Sequence, residues 1–540
     1  MQDLGVTDRY SAHGPARPAL CHACPDAGCV ARNEPPDTRP PTEAGRHLKV
    51  SEMSTEAISR DSGLPKALRH RIGPELVGQP VIERTNPADP SQVVAVTPDG
   101  DERTVDDAVQ AAAAAQPAWA RMPAPERGAI LLRAGAILYG RRLAVATDLV
   151  REEGKTLAEA LGEVGRAVEI LQYYGAEGRR GRGEVVPSGT PHTLAYTRRE
   201  PLGVVGIITP WNFPIAIPTW KTSPALIAGN AVVLKPATMT PLSTWHIAQA
   251  LDEAGLPPGV LNVVFGPGGK IGSAIAAHPG LAAVSFTGSN PVGRGIESVV
   301  TARHARILLE MGGKNPLIVL DDANPATAAQ IAAASGFGVT GQACTATSRV
   351  ICTPGIHDAL VDALVAEAAR YRPGDGLVPD TLMGPVVSPA QLSTDLEYVA
   401  IGTAEGGTAV TPPAEPDGQF LAPTVFTDIK SNHRIAQEEV FGPVLAVMHA
   451  DDLDHAVDIA NDIPFGLSAG IVTNDMRSAN RFIDRIQAGI VKVNRPTSGV
   501  DPNVPFGGVK ESSTNTYREQ GSTATDFYTW TKSVYLGMDY

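Results

Sequence analysis

Val204-Val205-Gly206-Ile207-Ile208, Ala231-Val232-Val233-Leu234, Val260-Leu261-Asn262-Val263-Val264 and Ala283-Val284-Ser285-Phe286 are four short apolar runs in one part of the chain. Between them lie the helical segments Trp220–Ala228, Ser243–Ala254 and Lys270–Ala277. Runs this uniformly apolar suit strands covered on both faces, and helices between parallel strands supply that cover. The stretch therefore predicts an α/β fold with a parallel sheet.

Upstream, the spacing predicts helices opening at Val105, over Arg127–Tyr139 and over Leu157–Tyr174. Residues 181–197 turn to Gly, Pro, Thr and Arg and end in Thr193-Leu194-Ala195-Tyr196-Thr197, which reads as an extended ribbon. A second α/β region is expected from Asn315 to about Asn494, and the tail returns to an extended run at Asp526–Trp530. Residues 1–65 hold eight prolines, one aromatic residue (Tyr10) and no period of helix or strand. They read as a disordered or loosely attached extension, with Met53 an internal candidate start.

The whole chain of 540 residues is long enough for about three domains. It is 43% hydrophobic and 19% charged, which excludes a wholly disordered or fibrous protein. The net charge of −13 without basic runs argues against nucleic acid as a partner. No apolar run reaches the roughly 20 residues of a membrane span, and the N-terminus shows no signal peptide. Five cysteines make no disulfide framework, so a cytoplasmic setting is expected.

Cys344 sits in Gly341-Gln342-Ala343-Cys344-Thr345-Ala346, among small and polar neighbours that leave room for a substrate. Cys352 has apolar neighbours and reads as structural. Glu310 ends an apolar run and is followed by Met311-Gly312-Gly313-Lys314, a setting for a base in a backbone-lined cleft. Two prolines flank Asn212 in Thr209-Pro210-Trp211-Asn212-Phe213-Pro214 and fix the aim of its amide, as an oxyanion donor requires. Glu439 and Phe441 lie in Glu438-Glu439-Val440-Phe441-Gly442-Pro443.

From about Arg84 to Tyr535 the chain resembles the aldehyde dehydrogenase superfamily. The resemblance rests on Pro-Trp-Asn-Phe-Pro at 210–214, Phe-Thr-Gly-Ser at 286–289, Glu-Met-Gly-Gly-Lys at 310–314, Gly-Gln-Ala-Cys at 341–344, Glu-Glu-Val-Phe-Gly-Pro at 438–443 and Pro-Phe-Gly-Gly at 505–508. The interval of 34 positions from Glu310 to Cys344 matches as well. It implies two doubly wound parallel-sheet domains and a β-ribbon arm. Residues 66–180 and 200–309 would form the cofactor domain, 310–504 the catalytic domain, and 181–199 with 505–540 the oligomerisation arm. A homodimer or homotetramer is expected, since pairing protects exposed strand edges.

The resemblance further implies a nicotinamide-dependent, non-acylating oxidation. Cys344 would be the nucleophile, Asn212 the oxyanion donor, Glu310 the base for deacylation, and Lys221 a further catalytic residue. Cofactor contacts would come from Ile208, Thr209, Pro210, Trp211, Gly268, Gly288, Ser289, Gly293, Glu439 and Phe441. Lys235 and Thr238 bear on cofactor choice. Thr238 stands where NAD-preferring relatives commonly carry a glutamate, so NADP is the expected cofactor, with NAD as the alternative. No metal is expected.

For the aldehyde, the two arginines typical of succinate-semialdehyde dehydrogenases are missing, replaced by Trp220 and Gly338. The text at 337–349, 493–501 and 518–521 is similar to 2-oxoglutarate-semialdehyde (2,5-dioxopentanoate) dehydrogenases. Glu511-Ser512-Ser513-Thr514-Asn515 departs from it, being more polar than the usual Gly-rich text. Trp220 and Arg495 are the candidate substrate residues, Arg495 as a carboxylate anchor. Readings of other classes are a catalytically silent relative, an acidic binding protein, and a zinc module built on Cys21-His22-Ala23-Cys24 with Cys29 and His13.

Overall fold

All four apolar runs become parallel neighbours in one seven-stranded sheet. From edge to edge it runs Arg306–Glu310, Ala283–Thr287, Val204–Ile208, Ala231–Lys235, Leu261–Val263, His70–Ile72 and Glu75–Val77. The last two strands join antiparallel. The computed structural model describes residues 65–181, 183–411 and 415–538. The expected extension, apart from Pro65, and the Cys21-His22-Ala23-Cys24 cluster with Cys29 and His13 lie outside the described residues.

Strands 204–208, 231–235 and 283–287 are buried at every position, as double-sided cover demands. The chain winds from Val204–Ile208 outward through 231–235 and 261–263, then returns to place 283–287 and 306–310 on the other side. The order reverses between Ile208 and Thr287, and open parallel sheets bind ligands at the carboxyl ends of strands flanking such a reversal.

A second sheet runs Thr408–Ala409, Thr424–Thr427, Val444–His449, Thr347–Cys352, Asn315–Val319, Ser468–Val472 and Ile490–Val493. All of its pairs are parallel except 408–409 with 424–427. A third, three-stranded sheet is the ribbon: Thr529–Gly537 pairs antiparallel with Thr193–Pro201, which also takes Val185–Val186.

Several expectations shift. Four helices, Glu102–Arg121, Ala124–Gly140, Arg142–Glu153 and Leu157–Glu177, replace the three expected before residue 180. Arg142–Glu153 buries charged Glu152 and Glu153, which blurs its apolar period. The expected helix 270–277 is a π-turn, Gly268–Gly272, followed by Ser273–Ala277. The tail forms a helical turn at Ala524–Phe527 before its strand, because Ala524 and Phe527 are packed in the core. Residues 505–523 do not belong to the ribbon. Phe506 and Glu519 pair backbone to backbone, and Gly508, Ser513 and Glu519 reach Glu310 and Lys221.

Candidate active site

The turn carrying Asn212 leaves the strand Val204–Ile208 and is fastened from below. Lys155 Nζ, fully buried, donates to Asn212 O at 2.7 Å and to Glu163 Oε2 at 2.6 Å. The other oxygen of Glu163 accepts from the Ile215 and Ala216 N–H groups at 2.8 and 3.1 Å. These are orphan donors at the start of the helix Ala216–Ile227, so one carboxylate caps the helix and neutralises the lysine. The Asn212 side-chain amide donates to Gln342 O at 3.0 Å, which ties this turn to the loop of Cys344.

That loop is shaped by unusual backbone. Val339, Thr340 and Gly341 take φ of 52, 57 and 69°, left-handed values costly for β-branched residues. Gly341 faces Gly442 O so closely that a Cβ would lie 2.2 Å from it. Phe441, also left-handed at φ 64°, sets its ring edge-on to Trp211 with centroids 5.3 Å apart. Asn315 Nδ2 holds the carbonyls of Cys344 and Ala346 at 2.9 and 2.8 Å.

A cavity of about 260 Å³ opens at the reversal of strand order. It brings together Pro210, Trp211, Asn212, Gly288, Ser289, Cys344, Glu439 and Phe441, with Thr287, Gln391 and Thr394. Burial pushes the Cys344 thiol well up, and the Glu439 and Glu310 carboxylates add to the effect, so the resting group is the thiol. Burial raises Glu439 to about 7, against the Gly313 N–H that donates to it at 2.9 Å.

The residues present fit a dinucleotide. The Thr209 and Thr287 hydroxyls are buried without a partner. A Cβ at Gly288 would meet the Phe286 ring at 2.5 Å, and one at Gly293 the Met311 sulfur at 2.5 Å, so glycine lets these side chains pack against the backbone. The helix Asn290–Ala302 begins directly after Ser289 and offers backbone N–H groups to a phosphate. Ile208, the residue before Thr209, is buried. Lys235, Thr238 and Gly268 form a second group beyond the neighbouring strand. Lys235 Nζ donates to Pro236 O at 2.9 Å, and burial lowers it to about 8. The Thr238 hydroxyl donates to Gly266 O at 3.2 Å, and Gly268 is exposed.

Other expected site residues lie outside the residues lining this cavity. Glu310 accepts from Gly508 N at 3.3 Å and from the Ser513 hydroxyl at 3.2 Å. Burial, then the Glu519 carboxylate, raises it well above the usual carboxylate range. Lys221 Nζ donates to Ser285 at 2.8 Å and pairs with Glu519. The Trp220 indole donates to Glu519 at 2.7 Å, and its ring packs on Phe506 with centroids 5.4 Å apart. Phe506, Leu467 and Ile490 form an apolar cluster against which Cys344 and Val500 pack. Arg495, expected as a carboxylate anchor, is exposed, and its Nη1 donates to Asn494 O.

Sequence reasoning missed Lys155, Glu163, Glu519, Gln391 and Thr394. The capping box of Thr156 and Glu159, right after Lys155, was a readable signal for a fixed helix start there. Gln391 and Thr394 lie in an ordinary helix, Pro389–Ala404, with no motif to expose them. Among the described residues, no group of three or more His, Cys, Asp or Glu could hold a metal ion. Among the same residues, no helix is long and apolar enough to cross a membrane.

The aldehyde dehydrogenase family profile matches residues 77–534. The α-ketoglutarate semialdehyde dehydrogenase of Haloferax volcanii is 50% identical over 459 residues, 84% of this chain and 95% of that one. The α-ketoglutaric semialdehyde dehydrogenase of Bacillus subtilis is 44% identical over 462 residues, 84% of this chain and 94% of that one. Among solved structures, an NAD+ complex of a Bacillus cereus aldehyde dehydrogenase superposes with a TM-score of 0.84 at 36% identity, covering 88% of this chain and 97% of that one. The profile match, the two sheets with their ribbon, and the meeting of Cys344 with Asn212 agree, and the chain belongs to the aldehyde dehydrogenase family.

Proposed function

We propose that this NAD(P)-dependent aldehyde dehydrogenase oxidises 2-oxoglutarate semialdehyde to 2-oxoglutarate, with Cys344 as its nucleophile. Oxidation of an aldehyde to a carboxylic acid with a nicotinamide cofactor follows from the family. The substrate rests on one observation: 50% identity to an enzyme of that name across nearly its whole length. The cofactor, when bound, accepts the hydride lost from the aldehyde carbon.

On the protein side, Cys344 gives up its thiol proton to water, and its Sγ then bonds the aldehyde carbon, carrying it first as a thiohemiacetal and, once the hydride has left, as a thioester. The oxyanion takes the Asn212 Nδ2 amide, freed from Gln342 O, and the Cys344 N–H. Glu310 activates the water that releases the acid. Its resting contacts lie away from the cavity, so it turns from Gly508 and Ser513 to do so. Glu439 and Phe441 hold the nicotinamide end of the cofactor, and Gly288, Ser289 and Gly293 its pyrophosphate.

NADP is the preferred cofactor in this reading, because Thr238 brings no negative charge to the adenosine ribose and Lys235 is its near neighbour. The ribbon pairs subunits into a dimer or tetramer. Val185, Leu194, Tyr535 and Leu536 are exposed on it, an apolar surface suited to a second copy.

The test is a panel of 2-oxoglutarate semialdehyde, succinate semialdehyde, betaine aldehyde and simple aliphatic aldehydes, each with NAD and NADP. The highest kcat/KM is expected for 2-oxoglutarate semialdehyde with NADP. A uniform response across the panel would instead mark a broad-range enzyme.

A further inference from the structure

We infer that Arg166 is the carboxylate anchor of the aldehyde substrate. The inference rests on the reading that the substrate is an acid semialdehyde, and it places the cation on a half-buried side chain, where Arg495 is exposed.

Three buried cations near the reacting groups are already committed. Lys155 is held by Glu163 and Asn212 O, and Lys221 by Glu519 and Ser285. Arg349 is spent on the carbonyls of Lys314, Ile459 and Ala460. Arg166 differs. Its side chain is half-buried, yet among the described residues it makes one hydrogen bond, from Nη2 to Gln520 Oε1 at 3.2 Å. Its ion contact with Glu169 is 3.9 Å long, and the Glu169 carboxylate is largely exposed. Asp501 faces it at longer range. A guanidinium has five N–H donors, so most of this one is free for a bidentate carboxylate.

Its place follows from its neighbours. Arg166 lies one turn after Glu163 on the helix Leu157–Glu177, and Glu163 fastens the turn that carries Asn212. Gln520 follows Glu519, which takes the Trp220 indole and pairs its backbone with Phe506. Phe506 belongs to the apolar cluster against which Cys344 packs, together with Val500, the residue before Asp501. Contacts thus lead from Cys344 to Phe506 and Trp220, and through Glu519 and its neighbour Gln520 to Arg166. That order suits a molecule with an aldehyde at one end, methylenes in the middle and a carboxylate at the other.

The helix also leaves space there. A Cβ added at Gly162 or Gly165 would meet no atom within 4 Å. Glycine inside a helix costs about 1 kcal/mol relative to alanine. Two of them beside an under-bonded arginine keep an open approach to its guanidinium.

The test compares kcat/KM for 2-oxoglutarate semialdehyde, succinate semialdehyde and pentanal in wild type, Arg166→Met and Arg166→Lys, at saturating cofactor. Arg166→Met should lower kcat/KM for both acid semialdehydes by roughly 10- to 100-fold, mainly through KM, and leave pentanal within about twofold. Arg166→Lys should restore part of the loss. An equal fall for pentanal, or a fall in kcat alone, would show that Arg166 only supports its helix and would overturn the inference. If wild type prefers succinate semialdehyde, the 2-oxoglutarate reading fails, while the ratio of charged to uncharged substrates still judges Arg166. If wild type shows no preference for acid semialdehydes, both fall.

Discussion

Cys344 and Cys352 share a chain segment and differ in what surrounds them. Cys344 borders the cavity, whereas Cys352 is fully buried at the end of a strand, its Sγ 3.6 Å from Met448 O. Cys344→Ser should therefore abolish turnover and Cys352→Ser should retain most of it, checked by steady-state NADPH formation. Lys235 gives a pH signature. Burial lowers it to about 8, so its charge is present at pH 7 and lost by pH 9. If that ammonium offsets the extra phosphate, the ratio of kcat/KM for NADP to that for NAD should fall between those pH values. Lys235→Ala should lower the ratio at pH 7 and flatten its profile. Thr238→Glu adds a carboxylate where the phosphate would lie. The penalty of roughly 1–4 kcal/mol should cost NADP about 5- to 1000-fold in kcat/KM and spare NAD. An equal effect on both cofactors would place the determinant elsewhere.

The element on which the site depends most is the turn 209–214, held between a strand end and a buried ion pair. Lys155→Met would leave Glu163 buried without its cation. Breaking such a pair costs about 3–5 kcal/mol, which should appear as a lower denaturation midpoint with an unchanged m-value. Glu163→Gln keeps the shape and one acceptor, and should lose less stability while lowering kcat through a looser Asn212. The strands of this region were legible because burial on both faces leaves an unbroken apolar run, as at Val204–Ile208. The helix Arg142–Glu153 was not, because buried Glu152 accepts from Leu242, Ser243 and the Ser243 hydroxyl, a contact 90 residues away that no local pattern encodes. Cys344, Asn212 and Glu439 could be read because they lie in turns with fixed chemistry. Glu519 could not, because Lys221 and Trp220, its partners, lie 298 and 299 residues away, and the reach of Lys155 to Asn212 O, 57 residues on, left no local mark beyond the capping box that follows it.

Across the whole molecule, the ribbon joins distant parts of the chain: Thr529 through Gly537 pair residue by residue with Pro201 through Thr193. Its exposed apolar side chains motivate the assembly proposed above. Tyr535→Lys combined with Leu536→Lys should reduce the mass measured by sedimentation while leaving the circular dichroism of the subunit unchanged. An unaltered mass would remove the ribbon from the interface. A thioester at Cys344 that Glu310 releases would accumulate when Glu310 can no longer act as a base. Intact and peptide mass spectrometry of Glu310→Gln, quenched after mixing with cofactor and 2-oxoglutarate semialdehyde, tests both parts at once. A burst of reduced cofactor is expected, with an acyl adduct of matching amount on the peptide containing Cys344. A burst without an adduct, or an adduct on Cys352, would rule out acyl transfer through Cys344.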